Sequence, residues 1–440
     1  MYEKPMSRRD IAWYENDLLK DMYIKASSNA FRGYHSPIVS PKTTFVGTNS
    51  LNDFINHLSA YLSDDERRVL IVVDKDLHKL GERVANRLNK RNIDNKFYDN
   101  VLPDVPKYTV SEGAKICEEY DPKVILAVGG GSAIDTAKLI LLFYEKPEIN
   151  INNMSAPYYA GLRKKVKILA AIPTTSGTGA ETTFIAVVTD TDRDPPKKTE
   201  VVLYEFCPDF VVLHPDFVKT MPPNLTTGTG IDALAHSMGS YMLTMSTLFT
   251  DMHNLKAVEL ILKYLPRSVK RGNDMEAREK MQIAAYIAGI GFGNISGGIE
   301  HSLGHSFGAL FHVHHGICVG LFLCAAIAFQ AKVTNRFFDL TKLFGIKIQD
   351  RGRAEILRDL LISLRNFMDE VNCPKSIQEL NNPNISREEY IKQIDQMVDF
   401  AFNDYCTLSS TRRINPPQYR KILETAYENK LEDLMDLFYK

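Results

Sequence analysis

The stretch Val124-Ile-Leu-Ala-Val-Gly-Gly-Gly-Ser-Ala-Ile-Asp-Thr-Ala-Lys138 decides how this chain is read. An unbroken apolar run with β-branched residues at both ends predicts a strand buried on both faces. Three glycines end it, and a helical stretch begins after Ser132. Such a junction sets unpaired helix N–H groups and a positive dipole end beside a backbone that a ligand can approach closely. It suits a pyrophosphate, with Ser132 adding a hydroxyl. The pattern departs from G-x-G-x-x-G, and three glycines before a helix also suit a plain tight turn.

Working outward, residues 43–47, 68–74, 167–173, 184–189 and 209–213 read as further strands. Residues 51–62, 77–88, 110–119 and 133–143 read as helices between them. This alternation predicts an α/β domain on a mostly parallel sheet. After Met221-Pro-Pro223 the strand runs disappear, and helical period continues through 255–265, 277–287, 353–371 and 387–403. A chain of 440 residues exceeds one ordinary core. The expected organisation is an N-terminal extension at 1–37, a dinucleotide-binding α/β domain at 38–222 and an all-α, metal-binding domain at 223–440.

A formal net charge of −1, with no basic stripe, argues against nucleic acid or an acidic membrane surface as partner. The six cysteines form no Cys-x-x-Cys pair, so they read as buried reduced thiols of a cytoplasmic protein. The first ten residues have no apolar stretch behind them and do not resemble a secretory signal. The apolar run 316–331 is too short for a membrane span and reads as a buried helix.

A second loop, Pro173-Thr-Thr-Ser-Gly-Thr-Gly-Ala-Glu181, follows the strand at 167–173. Small and hydroxyl-bearing residues past a strand's carboxyl end suit a ligand in the crevice of an open sheet. Asp74 ends another strand. An acidic residue there commonly accepts the adenosine ribose hydroxyls and repels a 2′-phosphate, which favours NAD over NADP. A solvated strand-end aspartate is the plainer alternative.

Five of the eleven histidines lie between His301 and His315. Upstream, Asp232-Ala-Leu-Ala-His236 spaces a carboxylate and an imidazole one helical turn apart, and His301 and His305 repeat that spacing. His315 ends the stretch Phe311-His-Val-His-His315, where the helical pattern breaks. Three imidazoles and one carboxylate suit Fe²⁺ or Zn²⁺ and serve Ca²⁺ or Mg²⁺ poorly. His35, His57, His78, His214 and His253 read as ordinary core or surface groups.

Taken together, these motifs make the chain resemble an iron-containing (group III) alcohol dehydrogenase. The resemblance rests on 129–138, 173–181, Met221-Pro-Pro before Gly228-Thr-Gly-Ile-Asp-Ala-Leu-Ala-His236, Gly291-Phe-Gly-Asn294, and His301-x-x-x-His305 followed by His315-Gly316. It covers residues from about 41 to the C-terminus. It implies the two-domain fold shared with dehydroquinate synthase, with Asp232, His236, His301 and His315 holding the ion. It implies dinucleotide contacts from Asp74, Gly130, Gly131, Ser132, Asp135, Thr174, Thr175, Thr178 and Lys198, and a substrate end lined by His305 and Phe292. Also implied are reversible hydride transfer between a small primary alcohol and NAD, Fe²⁺ or Zn²⁺ as Lewis acid, a cleft between the domains and a homodimer or higher homo-oligomer.

Departures from the family pattern stand at Pro103-Asp-Val-Pro106, where Pro-Asn-Pro-Thr is usual, and at His214, where an acidic residue usually precedes proline. His312 and His314 have no assigned role. Competing readings are a dehydroquinate-synthase-like lyase, a polyol dehydrogenase of the same superfamily and a non-catalytic scaffold. The lyase needs basic residues for a phosphorylated acid, and the cleft segments offer few, Lys138, Lys198 and Arg271 among the candidates.

Overall fold

Alternate residues of the apolar runs face opposite sides of one sheet, and both sides are buried. The computed structural model describes residues 38–151, 159–193 and 197–439. The extension expected at 1–37 lies outside them. Six strands, β1 Thr43–Val46, β2 Arg68–Val73, β3 Asp94–Tyr98, β4 Val124–Gly129, β5 Ile168–Pro173 and β8 Phe210–Leu213, form an all-parallel sheet in the order β1-β8-β5-β4-β2-β3. Val69, Ile71, Leu126 and Ala170 pack on one face against α1 Ser50–Tyr61 and α2 His78–Asn89. Leu70, Val72, Ile125 and Ala171 pack on the other against α3 Lys107–Tyr120 and α4 Gly131–Glu145.

The remaining strands, β6 Ile185–Asp190 and β7 Lys197–Val202, form a separate antiparallel pair. Thus the run expected at 184–189 is a strand, but one outside the parallel sheet. Neither β3 nor β7 was expected. β3, Asp-Asn-Lys-Phe-Tyr, is a polar strand at the sheet edge, and β7 opens on two lysines. Edge and hairpin strands need no continuous apolar run, because solvent meets one side of them.

From Pro223 onward the chain is helical. α5 Pro223–Tyr241, α6 Leu248–Lys270, α7 Met275–Gly293, α8 Ile299–Phe311 and α9 His315–Ala331 carry the functional candidates. α9 is buried almost throughout, packs on α8, and is no membrane span. The helix expected over 387–403 is two, Arg387–Lys392 and Ile394–Phe402, separated by a tightened turn at Gln393 whose N–H donates to Tyr390 O. All six cysteines are buried, as expected.

Packing divides the described chain into two compact units, 38–233 with 259–294 and 234–258 with 295–439. Secondary structure changes character at 222/223, but packing does not divide there. Glycines explain why. Gly179 has φ +59°, and a Cβ there would meet the backbone of Gly289 on α7; one on Gly177 would meet Thr229 on α5. Bare backbone lets the first turns of α5 and all of α7 press onto the loop after β5, so both join the α/β unit.

Lys138, fully buried, donates to Ala180 O at 2.8 Å and Ile185 O at 2.7 Å. It therefore braces the chain beneath that loop and is not available to a substrate. Beside it Glu181 is also buried, and burial pushes its carboxyl up to about 7 from 4.5. Because the folded chain holds this proton more tightly than the unfolded chain, stability falls as pH rises from about 4.5 to about 7, by on the order of 3 kcal/mol. Glu181→Gln should remove that slope. Urea midpoints at about pH 5 and about pH 8 check it: the variant should gain on the wild type at the higher pH.

Candidate metal centre and nucleotide loops

Asp232 and His236 stand one turn apart on α5, His301 lies in the first turn of α8, and His315 opens α9. One ligand atom from each of these four residues lies within 4.8 Å of all the others. The His236 and His301 rings stack at 4.6 Å between centroids, and His301 and His315 approach to 5.7 Å. Asp232, His236 and His301 are buried, and His315 is the most open of the set.

The polar partners show what such a site is built for. His301 Nδ1–H donates to Glu300 Oε1 at 2.9 Å, and Gly298 N–H donates to the same oxygen at 2.9 Å. That contact fixes the ring's tautomer and turns Nε2 away as the acceptor. Nε2 is buried and has no hydrogen-bond partner among the described residues. A buried unpaired imidazole nitrogen costs free energy unless a hydrogen-bond donor or a cation meets it. Fully buried Glu300 would gain equally, its negative charge being offset through the ring. A Cβ on Gly239 or Gly298 would run into the Glu300 carboxylate, so both glycines make room for it. The donor set and its second shell fit a nitrogen- and oxygen-preferring transition ion.

Glu300 escaped the sequence reading. So did Asp404, which accepts from His305 Nδ1–H at 2.8 Å. Burial opposes the charge on Asp404, but His305 and the hydrogen bonds from Cys406 hold its carboxyl below the usual value. His305 is partly exposed and lies 5.2 Å from His315 between ring centroids, nearly parallel to it. His312 and His314 are both exposed. Phe292, on α7, is half-buried. Among the histidines read as ordinary, His214 is buried and accepts from Asp216 N–H through Nδ1.

In the α/β unit the two loops lie against each other. A Cβ on Gly130 would meet Thr175, and one on Gly131 would meet Thr178, at 3.1 Å in each case. Gly130 precedes α4 and no side chain caps that helix end. An uncapped N-terminus on glycine backbone, with Ser132 in its first turn, fits a phosphate group. Thr174 is buried, its N–H donating to Gly129 O at 3.0 Å. Asp74 follows β2, half-buried, with Oδ1 accepting from Asp76 N–H at 2.8 Å. Two of the expected contact residues also have protein partners. Asp135 Oδ2 accepts from Val187 N–H at 3.1 Å, tying α4 to β6. Lys198 pairs with Asp104 at 2.7 Å, both exposed.

Residues 41–215 match the family described as "Iron-containing alcohol dehydrogenase", and residues 226–427 match "Fe-containing alcohol dehydrogenase family, C-terminal". The NADPH-dependent butanol dehydrogenase of Clostridium saccharobutylicum is 32% identical over 395 residues, covering 88% of this chain and 97% of its own length. The NAD-dependent methanol dehydrogenase of Bacillus methanolicus is 32% identical over 367 residues, covering 82% and 92%. Of solved structures, an alcohol dehydrogenase from Oenococcus oeni superposes with a TM-score of 0.81 at 25% identity, over 89% of this chain and 100% of that one. Against a bifunctional aldehyde-alcohol dehydrogenase it also matches, the chain spans only 46% of the relative's length.

If Glu300 orients His301 toward an ion, Glu300→Gln should weaken Zn²⁺ binding about 10- to 100-fold, the usual cost of losing an outer-shell partner. Competition against a chelator of known affinity reads this directly. An unchanged Zn²⁺ affinity would remove Glu300 from the site.

Proposed function

The chain belongs to the iron-containing alcohol dehydrogenase family, and from that premise we propose a metal-dependent, NAD(H)-linked enzyme interconverting a small primary alcohol and its aldehyde. The observation that carries this reading is the convergence of Asp232, His236, His301 and His315 on a buried, unpartnered His301 Nε2. These four side chains would hold Fe²⁺ or Zn²⁺, both of which the donor set accepts. When bound, the ion supplies Lewis acidity to an alcohol or carbonyl oxygen, and the nicotinamide accepts or gives the hydride.

The chain's own part is positional. Gly130, Gly131 and Ser132 present the α4 N-terminus to the pyrophosphate, and Thr174, Thr175 and Thr178 flank it from the facing loop. Asp135 and Lys198 brace this frame through Val187 and Asp104. His305, held at Nδ1 by Asp404, carries a proton between the substrate oxygen and solvent. Phe292 lines the substrate end. In this reading 38–222 bind the dinucleotide and 223–440 the metal.

Relatives of equal identity are named for different nicotinamides, NADPH for the butanol enzyme and NAD for the methanol enzyme. The choice here turns on Asp74, whose charge at the end of β2 repels a 2′-phosphate. We also propose a cytoplasmic homo-oligomer. Met245, Leu248, Phe249 and Met252 expose apolar side chains along one short segment, the kind of patch that a second copy covers. The lyase reading weakens, since Lys138 is buried against carbonyl groups and Lys198 is paired.

NADH consumption with short aldehydes, in metal-loaded and chelator-stripped protein, tests the assignment. His301→Ala should abolish ion binding and cut turnover by more than about a hundredfold, while His305→Ala should keep the ion and slow turnover. Stripped protein that retains full turnover would overturn the Lewis-acid role. Asp74→Gly should raise kcat/KM for NADPH relative to NADH by about tenfold or more, the worth of one removed charge–charge repulsion. An unmoved ratio would withdraw Asp74 from cofactor selection.

A further inference from the structure

We propose a second cation site in this chain, formed by His305, Asp404 and Cys406 and selective for soft divalent ions such as Zn²⁺ and Cd²⁺. One ligand atom from each lies within 4.8 Å of the other two. The local backbone builds the cluster. Asp404 caps the short helical turn Tyr405–Ser409, Oδ1 accepting from Cys406 N–H at 2.8 Å, so the two side chains converge although only one residue separates them. The Cys406 thiol hydrogen-bonds the same carboxylate, and His305 Nδ1 reaches its other oxygen at 2.8 Å. Ser302, Thr407 and Tyr419 continue the network behind it, Thr407 Oγ1 lying 3.0 Å from Ser302 Oγ and 2.6 Å from Tyr419 Oη.

The chemistry of these donors picks the ion. Thiolate, imidazole and carboxylate together prefer Zn²⁺ and its softer congeners over Mg²⁺ or Ca²⁺. Three protein ligands leave one tetrahedral position for water, the pattern of an exchangeable site. Binding releases the thiol proton to buffer and moves the His305 ring proton from Nδ1 to Nε2, freeing Nδ1 for the ion, so two hydrogen bonds to Asp404 become bonds to metal. Asp404 and the thiolate then balance the divalent charge. A filled second site carries no net charge and does not repel the ion held by Asp232, His236, His301 and His315. An ion can enter past His305, whose side chain is one-third exposed.

One consequence rests on the functional reading above: His305 bound to an ion no longer carries protons, so excess Zn²⁺ or Cd²⁺ inhibits without displacing the first metal. Sulfur separates the two sites, because the first contains none. Protein loaded with one Zn²⁺ per chain is titrated with Cd²⁺, reading bound metal and the cadmium–thiolate charge-transfer band in the ultraviolet. The wild type should take up one further ion with the band. Cys406→Ser should lose the band and weaken that uptake more than tenfold, retaining its Zn²⁺ and its turnover and resisting inhibition. Cys406→Ala repeats the test should the serine variant fold poorly. Absence of the band in wild type, or its persistence in both variants, would overturn the proposal. These binding readouts decide it even if no alcohol or aldehyde is ever turned over.

Discussion

A carboxylate with no exposed surface, Glu300, orients the His301 ring of the candidate metal site through one hydrogen bond. Burying that charge is unfavourable on its own, and the Gly298 N–H offsets only part of the cost. A cation one imidazole away would complete the balance. The glycines at 239 and 298 are therefore parts of the site, because any side chain there would displace the carboxylate and release the ring. His305 repeats the arrangement one turn later with Asp404. Two histidines on one helix face thus each have a carboxylate behind them, fully buried at Glu300 and partly buried at Asp404, but one faces an all-nitrogen-and-oxygen set and the other a cysteine.

The nucleotide loops obey a different constraint, close approach of backbone. Threonines 175 and 178 fill the space that glycines 130 and 131 leave, and Gly179 lets α7 reach the same loop. Van der Waals contact alone explains these glycines, so their presence is not by itself a sign of a phosphate. The uncapped start of α4 is the separate feature that suits an anion. Beneath it, Lys138 and Glu181 are buried ionisable groups held by backbone and by each other's field. They make this loop sensitive to pH through stability, independently of any proton that moves in the reaction.

Apolar continuity made β2, β4, β5 and β8 legible, since a strand covered on both faces can carry almost nothing else. β3 and β7 were hidden because one side of each meets water or a hairpin partner and tolerates lysine and aspartate. The turn at Gln393 was hidden too, there being no proline or glycine to mark it. Asp135 and Lys198 show the opposite limit. The family resemblance implies cofactor contacts for both, but which protein neighbour a charged side chain reaches is settled by packing: Asp135 accepts from Val187 N–H and Lys198 pairs with Asp104.

By itself the sequence determined the helical and strand periods, the strand–glycine–helix junctions and the i, i+4 pairs Asp232/His236 and His301/His305, because each depends on local geometry within a turn or two. Tertiary structure alone decided that α5, α8 and α9 bring Asp232, His236, His301 and His315 to one point, and that Asp404 arrives behind His305 from 99 residues away. It also decided that α7 packs with the α/β unit. The physical reason is range: a helical repeat is written in neighbouring residues, while the meeting of distant helices is chosen by burial and glycine clearances far apart in the chain.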